Sequence, residues 1–146
     1  MPEKILIVDD DPDMLELLSM IITEKTPYEV VTTNNPLEVI DLAKKNKFDL
    51  IIADLKMPGM DGIELLDSIK KIDPNLTVII ITAYGTIESA VETMHKGAFD
   101  FITKPFRKEQ ILYTIDRALK WQKMQKENIM LKEALSKKSG ENQAGR

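Results

Sequence analysis

Three aspartates of this sequence stand directly after short apolar runs, where their carboxylates could do chemistry together. Asp9 and Asp10 follow the first apolar run of the chain, and Asp54 follows the third. If the three carboxylates meet in one cleft, they repel one another and stay ionised together only when a cation lies among them. Because no His or Cys accompanies them, this all-oxygen set suits Mg²⁺. With its neighbours neutralised, Asp54 is a candidate nucleophile for phosphoryl transfer that gives an aspartyl phosphate.

Thr82 and Lys104 follow the fourth and fifth apolar runs and complete the candidate site. The Lys104 ammonium can help Mg²⁺ to hold the oxygens of a transferring phosphoryl group, and the Thr82 hydroxyl can donate a hydrogen bond to one of them. Taken singly, the aspartates could be helix caps or turn residues, and the lysine a solvated side chain. Capping does not account for Lys104 or Thr82, so the joint placement at four strand ends favours a functional site.

The order of apolar runs and amphipathic stretches predicts the fold that brings these residues together. Five strands are predicted, each followed by a helix, at residues 4–8, 28–32, 50–53, 77–81 and 99–102. Because the strands are continuously apolar, they are expected to form a parallel sheet between two helix layers. Right-handed crossovers make this a doubly wound, flavodoxin-like α/β sheet with strand order 2-1-3-4-5. Its strands end at one common edge, where such sheets bind ligands.

Composition argues against several other classes of function. The 146 residues leave room for one domain, and residues 1–119 carry a net charge of about −8, which disfavours direct nucleic-acid binding. The absence of cysteine excludes disulfides, thiolate metal sites and a cysteine nucleophile. No segment approaches the roughly 20 apolar residues of a membrane span, and no signal-peptide core follows Met1. We therefore expect a cytoplasmic protein that contacts no membrane.

Four motifs together resemble those of bacterial two-component response-regulator receiver domains, over about residues 3–120. The motifs are Ile7-Val8-Asp9-Asp10, the stretch 52–62 around Asp54, Ile81-Thr82-Ala83-Tyr84-Gly85 and Phe101-Ile102-Thr103-Lys104-Pro105-Phe106. The resemblance implies that Asp54 accepts a phosphoryl group from the phosphohistidine of a sensor histidine kinase or a phosphotransfer protein. It implies a regulatory phospho-acceptor rather than an enzyme.

The same resemblance implies the ligands of the metal and the moving parts of a switch. Asp10, Asp54 and the backbone carbonyl of Lys56 would bind Mg²⁺, with Asp9 acting through water, and the peptide bond before Pro105 would be cis. On phosphorylation, Thr82 would move toward the phosphoryl group while the ring of Phe101 swings inward. A static core position for Phe101 fits the sequence equally well. The output surface would comprise the helix at about residues 86–95, the fifth strand and the last helix.

The C-terminal part of the chain extends beyond a minimal receiver domain. Residues 1–120 are predicted to form the domain, 121–135 a helical linker, and 136–146 a disordered tail rich in small and polar residues. The motif around Thr82 and the long last helix resemble those of receivers from enhancer-binding transcriptional activators. The sequence leaves open whether the chain is a free-standing regulator or part of a longer one.

The predicted linker carries a short heptad pattern that favours a homodimer. Its apolar seam, with Asn at an a position, consists of Trp121, Met124, Asn128, Leu131 and Leu135. Glu127 and Lys132 occupy g and e positions that could pair across a parallel dimer. About two heptads are short for a coiled coil, and a solvated, partly frayed helix is the alternative. Ile129 and Met130 lie off the seam, which weakens it or points to a further contact.

Two other functions use the same residue types or the same fold. A Mg²⁺-dependent phosphohydrolase also employs an aspartyl nucleophile, but such enzymes usually carry a second acid two residues later, where this chain has Lys56. They also tend to have a substrate-selecting cap insertion, which this chain lacks. A flavodoxin-like cofactor carrier would need a loop rich in Ser, Thr and Gly around the flavin phosphate, and no loop here has that composition.

Overall fold

Five parallel strands form a single sheet with helices in the connections. The computed structural model describes residues 2–144, with side chains as far as residue 136. The strands are β1 (Lys4–Val8), β2 (Glu29–Thr33), β3 (Leu50–Ala53), β4 (Thr77–Thr82) and β5 (Asp100–Thr103). The helices are α1 (Pro12–Lys25), α2 (Pro36–Lys45), α3 (Gly62–Ile72), α4 (Ile87–His95) and α5 (Lys108–Ala144). The strand order β2-β1-β3-β4-β5, parallel throughout, confirms the predicted doubly wound α/β fold.

The strands bury both of their faces. In β1, Ile5 and Ile7 pack in a cluster with residues of α1 and α5, whereas Leu6 and Val8 pack in a second cluster with residues of α2 and α3. Successive side chains of a strand point to opposite faces, so a continuously apolar strand needs a helix layer on each side. The resulting sheet is a rigid platform for the residues at its strand ends.

Three helices begin at an aspartate or asparagine that caps their first turn. The side chain of Asp11 accepts a hydrogen bond from the N–H of Asp13 (3.0 Å), and that of Asn35 from the N–H of Leu37 (3.0 Å). Asp61 caps α3 in the same way. Such caps satisfy N–H groups that have no partner within the helix. They therefore determine where each helix starts beside the sheet edge.

The structure differs from the sequence prediction in the bounds of three strands and in the buried face of α2. Strands β2 and β5 each lie one residue later than predicted, and β4 includes Thr82. From the sequence, the periodicity of α2 would put Leu37, Ile40 and Ala43 on its buried face. Instead Leu37 is 58% exposed, while Pro36 and Val39 are buried. The helix begins at Pro36, so the apolar stripe with i, i+3, i+4 spacing starts there and Leu37 points away from the core.

Helix α5 continues well beyond the part of it that packs on the sheet. Its first part packs on the sheet through Ile111, Ile115 and Ala118, all buried. The backbone continues as one helix to Ala144, and so includes residues 136–144 of the predicted disordered tail. Residues 145 and 146 of that tail lie outside the described residues. Along residues 2–144, no helix combines the length and apolar character needed to cross a bilayer.

We expect Gly62→Ala to destabilise the fold, because α3 begins in close contact with the end of β3. A Cβ atom at Gly62 would lie 2.6 Å from the Asp54 carbonyl oxygen and 2.8 Å from the Leu55 Cα, both backbone atoms that cannot move away cheaply. The expected loss is about 1–3 kcal/mol of unfolding free energy in urea titration. Lys71→Ala, on the exposed side of the same helix, is the control and should change little. A Gly62→Ala protein as stable as the wild type would contradict this packing.

Candidate functional site

The sheet itself places two of the three aspartates beside each other. Val8 and Ala53 are partners in the β1–β3 register, so the next residues, Asp9 and Asp54, are neighbours at the sheet edge. The backbone N–H of Asp54 donates to the carbonyl of Val8 (3.2 Å), and that of Asp9 donates to the carbonyl of Thr33 (3.3 Å). The backbone pairing thus continues one residue beyond each strand. Both carboxylates are held by the main chain rather than by a mobile loop.

Lys104 reaches the same point from the end of β5. Its backbone N–H donates to the carbonyl of Thr82 (2.8 Å), and its Nζ lies 2.9 Å from Asp9 Oδ2 and 3.0 Å from Asp54 Oδ2. The ammonium therefore bridges two carboxylates that are almost fully buried. The peptide bond between Lys104 and Pro105 is cis. These contacts join residues that are 95 and 50 positions apart in the chain.

Asp10 completes a cluster of three carboxylates. One oxygen each from Asp9, Asp10 and Asp54 can be chosen so that all three lie within 4.8 Å of one another. Asp9 and Asp54 are buried while Asp10 is exposed, so the cluster has one side open to solvent. Three convergent carboxylate oxygens with no nitrogen or sulfur ligand beside them suit a hard cation that keeps part of its water shell. The residues present therefore fit Mg²⁺.

The remaining carboxylate oxygens are held by backbone N–H groups. Asp54 Oδ1 accepts from the N–H of Lys56 (3.2 Å), and Asp9 Oδ1 accepts from the N–H of Asp11 (3.0 Å). The Lys56 backbone therefore lies beside the Asp54 carboxylate. Binding of a metal by the Lys56 carbonyl remains a prediction.

Burial and the bridging ammonium have opposite effects on the titration of Asp9. Burial raises the pKa of Asp9, and this outweighs the Asp11 N–H and the Lys104 ammonium, which lower it. For Lys104, burial lowers the pKa, but the hydrogen bonds and charges of Asp9 and Asp54 outweigh it, so the pKa is raised above its ordinary value. The site therefore holds a firmly protonated lysine beside a carboxylate whose ionisation is costly, an arrangement that an added cation would relieve.

Thr82 and Phe101, the predicted switch residues, lie on adjacent strands. Thr82 is the last residue of β4 rather than the residue after it, is fully buried, and accepts a hydrogen bond on Oγ1 from the N–H of Tyr84 (3.1 Å). Phe101 is half-buried and packs against the cluster on the α2 and α3 side. A Cβ at Gly85 would lie 3.1 Å from the ring of Phe101, so the loop after Thr82 is in close contact with that ring. Movement of either residue is a prediction.

An open cleft leads to the Asp54 carboxylate, and sequence reasoning missed part of its wall. It is lined by Asp10, Asp54, Lys56, Met57, Pro58 and Tyr84. The ring of Tyr84 is 60% exposed, and Lys56 Nζ lies 5.9 Å from its centroid. This cation–π pair stands beside the route to Asp54. The signal was available in the sequence, since Tyr84 is two residues from Thr82 and Lys56 two residues from Asp54.

Comparison with known proteins decides what kind of domain carries this site. The family model for the response regulator receiver domain matches residues 5–116 of the chain. The chain belongs to this family. The match confirms the resemblance found in the sequence. Receivers are regulatory phospho-acceptor domains of two-component systems, which generally bind Mg²⁺ at an acidic pocket.

Two curated relatives show the range of proteins in which similar receivers occur. The chain is 42% identical over 118 residues to the transcriptional regulatory protein GlrR of Escherichia coli, covering 81% of this chain and 26% of GlrR. It is 40% identical over 119 residues to sporulation initiation phosphotransferase F of Bacillus subtilis, covering 82% of this chain and 95% of that protein. The chain thus spans about a quarter of the first relative and nearly all of the second.

A solved structure extends the similarity into the longer part of α5. NtrX from Brucella abortus superposes with a TM-score of 0.83 at 34% identity, covering 90% of this receiver chain and 30% of NtrX. The similarity therefore includes more of the chain than the residues 5–116 matched by the family model.

The predicted dimer seam of this receiver lies on an exposed face of α5. Trp121 is 46%, Met124 56%, Leu131 61% and Leu135 63% exposed, and Asn128 is also exposed. Single exposed apolar residues are common, but a row of them along one helix face marks a surface that could be covered. Dimerisation through this seam remains a prediction.

Asp9→Asn should stabilise the metal-free receiver at neutral pH. Because the pKa of Asp9 is higher in the folded than in the unfolded state, its ionisation costs stability, and this loss grows as the pH rises through the folded-state pKa. In urea titrations with a chelator present, the variant should have a larger free energy of unfolding than the wild type at neutral pH. The difference between the two free energies should shrink toward about pH 3. Asp13→Asn, an exposed aspartate outside the cluster, is the control. A variant less stable than the wild type at neutral pH would refute the assigned cost.

Proposed function

We propose that this receiver is a phospho-accepting signalling switch in which Asp54 takes a phosphoryl group from the phosphohistidine of a sensor histidine kinase or a phosphotransfer protein in the cytoplasm. The observation that carries the proposal is the Lys104 ammonium, which bridges Asp9 and Asp54, the second of which lines a cleft open to solvent. A carboxylate held in this way is oriented for attack, and a cation already stands where phosphoryl charge would arrive.

The chemistry requires little beyond positioning. An oxygen of Asp54 attacks phosphorus, the bond from phosphorus to the donor nitrogen breaks, and its electron pair stays on the imidazole. Lys104 would then bind a phosphoryl oxygen, and the Thr82 hydroxyl would donate to another. Asp9, Asp10, Asp54 and the Lys56 carbonyl would hold Mg²⁺, which when bound neutralises charge on the carboxylates and on the phosphoryl group.

The switch follows from the added charge. In the structure Lys104 pairs with the Asp54 carboxylate. Phosphorylation of Asp54 adds roughly −2 of charge beside the Lys104 ammonium. Moving Lys104 and Thr82 toward the phosphoryl group changes the ends of β4 and β5, and with them the packing of Phe101 against the loop at Gly85. The proposed output face is α4, β5 and α5. Such a modification biases an equilibrium between two arrangements that already exist.

We extend the proposal to transcription regulation and to a homodimer. Several relatives are named transcriptional regulatory proteins, and the chain matches about a quarter of their length. In this proposal residues 1–120 are the receiver domain and 121–135 the linker that pairs with a second copy through the seam. The linker supports the proposed dimer because its helix is continuous and carries an exposed apolar seam.

Asp54→Asn should abolish phosphate incorporation while leaving the fold intact. Mass spectrometry after treatment with acetyl phosphate and Mg²⁺ should find one phosphoryl group per wild-type chain, none on the variant, and much less on the wild type with a chelator. Asp41→Asn, on the exposed side of α2, is the matched control and should be labelled normally. Undiminished labelling of Asp54→Asn would rule out the acceptor assignment. Repeated turnover of a small phosphate ester would favour the phosphohydrolase instead.

Leu131→Asp should shift any dimer toward monomer, because it puts a charge in the middle of the apolar seam. Sedimentation velocity at several protein concentrations measures the effect, before and after treatment with acetyl phosphate and Mg²⁺. Ser136→Asp adds the same charge nearby at a b position, away from both the seam and its g and e flanks, and should behave like the wild type. Equal sedimentation of all three proteins would remove the coiled-coil interpretation.

A further inference from the structure

The part of α5 beyond the predicted domain is in contact with the opposite end of the sheet from the acceptor site. Gln122 is only 3% exposed, and its Oε1 accepts hydrogen bonds from the backbone N–H of Thr77 (3.0 Å) and from the Thr77 hydroxyl. Thr77 is the first residue of β4 and is itself buried. A buried side-chain hydrogen bond to an otherwise unpaired strand N–H is costly to break. The start of β4 is therefore tied to α5.

One turn later, α5 is also tied to the start of β3. Lys126 Nζ lies 2.8 Å from Asp49 Oδ1. The other oxygen of Asp49 accepts from the backbone N–H of Lys4 (2.8 Å), and the N–H of Asp49 donates to the carbonyl of Lys4 (2.8 Å). Asp49 immediately precedes β3, and Lys4 begins β1. Lys126 thus binds the point at which two central strands begin.

An apolar groove continues this contact along the helix. Its walls are Phe48, Ile69, Ile72 and Leu76 of the receiver and Ile129 and Met130 of α5. Ile129 is half-buried, but Met130 remains 68% exposed and Ile72 39% exposed. The groove is therefore only partly closed. The contact depends mainly on Gln122 and Lys126, so modest changes at the strand ends can alter it.

The contact and the predicted dimer seam occupy opposite faces of α5. Gln122, Lys126 and Ile129 follow i, i+4, i+7 spacing and share one face, which we call the docking face. At about 100° per residue, the seam lies roughly half a turn around the helix from them. A second copy can therefore pair with the seam while each receiver stays in contact with its own helix. Ile129 and Met130, which do not fit the heptad pattern, belong to this other surface.

We propose that the docking face of α5 is an intramolecular binding surface through which phosphorylation at Asp54 controls the linker; the regulatory part rests on the proposed function. Two strands connect the two ends. β4 runs from Thr77, bound by Gln122, to Thr82 at the acceptor site, and β3 runs from beside Asp49, bound by Lys126, to Asp54. Both strands are short and buried on both faces, so displacement of one end is passed to the other by a close-packed core.

The direction of the effect follows from the state in which the contact is seen. Gln122 and Lys126 bind the strands while Lys104 pairs with Asp54 Oδ2. A phosphoryl group on Asp54 replaces that pairing and draws Lys104 and Thr82 toward itself. Phosphorylation is therefore expected to weaken docking and release the linker. By linkage, loss of docking must favour the phosphorylated arrangement by the same factor.

The docking contact is tested by amide hydrogen exchange on the full chain without any phosphodonor. Gln122→Met and Lys126→Met should each speed exchange in residues 120–136 by about fivefold or more. Gln125→Met and Lys123→Met are the matched controls on neighbouring positions of α5 and should exchange like the wild type. Lys126 is half-exposed, so Lys126→Met keeps the test valid if Gln122→Met fails to fold. Unchanged exchange in Lys126→Met would overturn the docking surface.

The coupling is tested in both directions with beryllofluoride, a phosphoryl stand-in, and Mg²⁺. The wild type should exchange faster in residues 120–136 when beryllofluoride is added, and Asp54→Asn should not respond. In calorimetric titration, Lys126→Met should bind beryllofluoride at least about fivefold more tightly than the wild type does. The control Lys123→Met should bind it with the same affinity as the wild type. If all of these proteins bind it with the same affinity, the coupling is wrong while the acceptor function stands. If the wild type binds none and takes no phosphate from acetyl phosphate, both fail, and the exchange experiment without beryllofluoride still decides the docking surface.

Discussion

The ion pair of Lys104 with Asp9 and Asp54 is the interaction on which the site depends. Its three groups are largely buried, and a buried charge is tolerated only when it is paired and hydrogen-bonded. Removing the ammonium would leave two carboxylates facing each other without compensation. The pair therefore requires that the ends of β1, β3 and β5 stay in fixed relation. The rest of the fold can be understood as the means of meeting that requirement.

Parallel strands that are buried on both faces keep the ends of β1, β3 and β5 in fixed relation with few loop residues. Backbone hydrogen bonds continue past the strand ends to Asp9, Asp54 and Lys104, so each functional side chain starts from a defined main-chain position. The surface next to them is more exposed, and there Lys56 and Tyr84 stand beside the cleft. A rigid carboxylate beside a more exposed wall suits the proposed phosphoryl transfer, in which the site must admit a large phosphodonor and then exclude water.

The two ends of the sheet present two different surfaces of the receiver. At one end the carboxylate cluster is open to solvent, as the proposed transfer of a group from another protein requires. At the other end the start of β3 and the start of β4 are bound by α5 of the same chain. In the proposed coupling, a signal that enters at the first surface and leaves through α5 has a short path, because β3 and β4 are four and six residues long. The exposed seam lies on the far side of that helix.

The sequence by itself determined the strand order, the parallel sheet and the residues that meet at its edge, because apolar periodicity and the positions after each strand are local properties. It also placed Leu131 and its neighbours on one helix face. Only the tertiary structure decided which face of α2 is buried, that Thr82 belongs to β4, and that Gln122 and Lys126 bind Thr77 and Asp49. Those contacts join residues 45 and 77 positions apart. Nothing in a local pattern specifies such partners, since they depend on how complete elements are packed against one another.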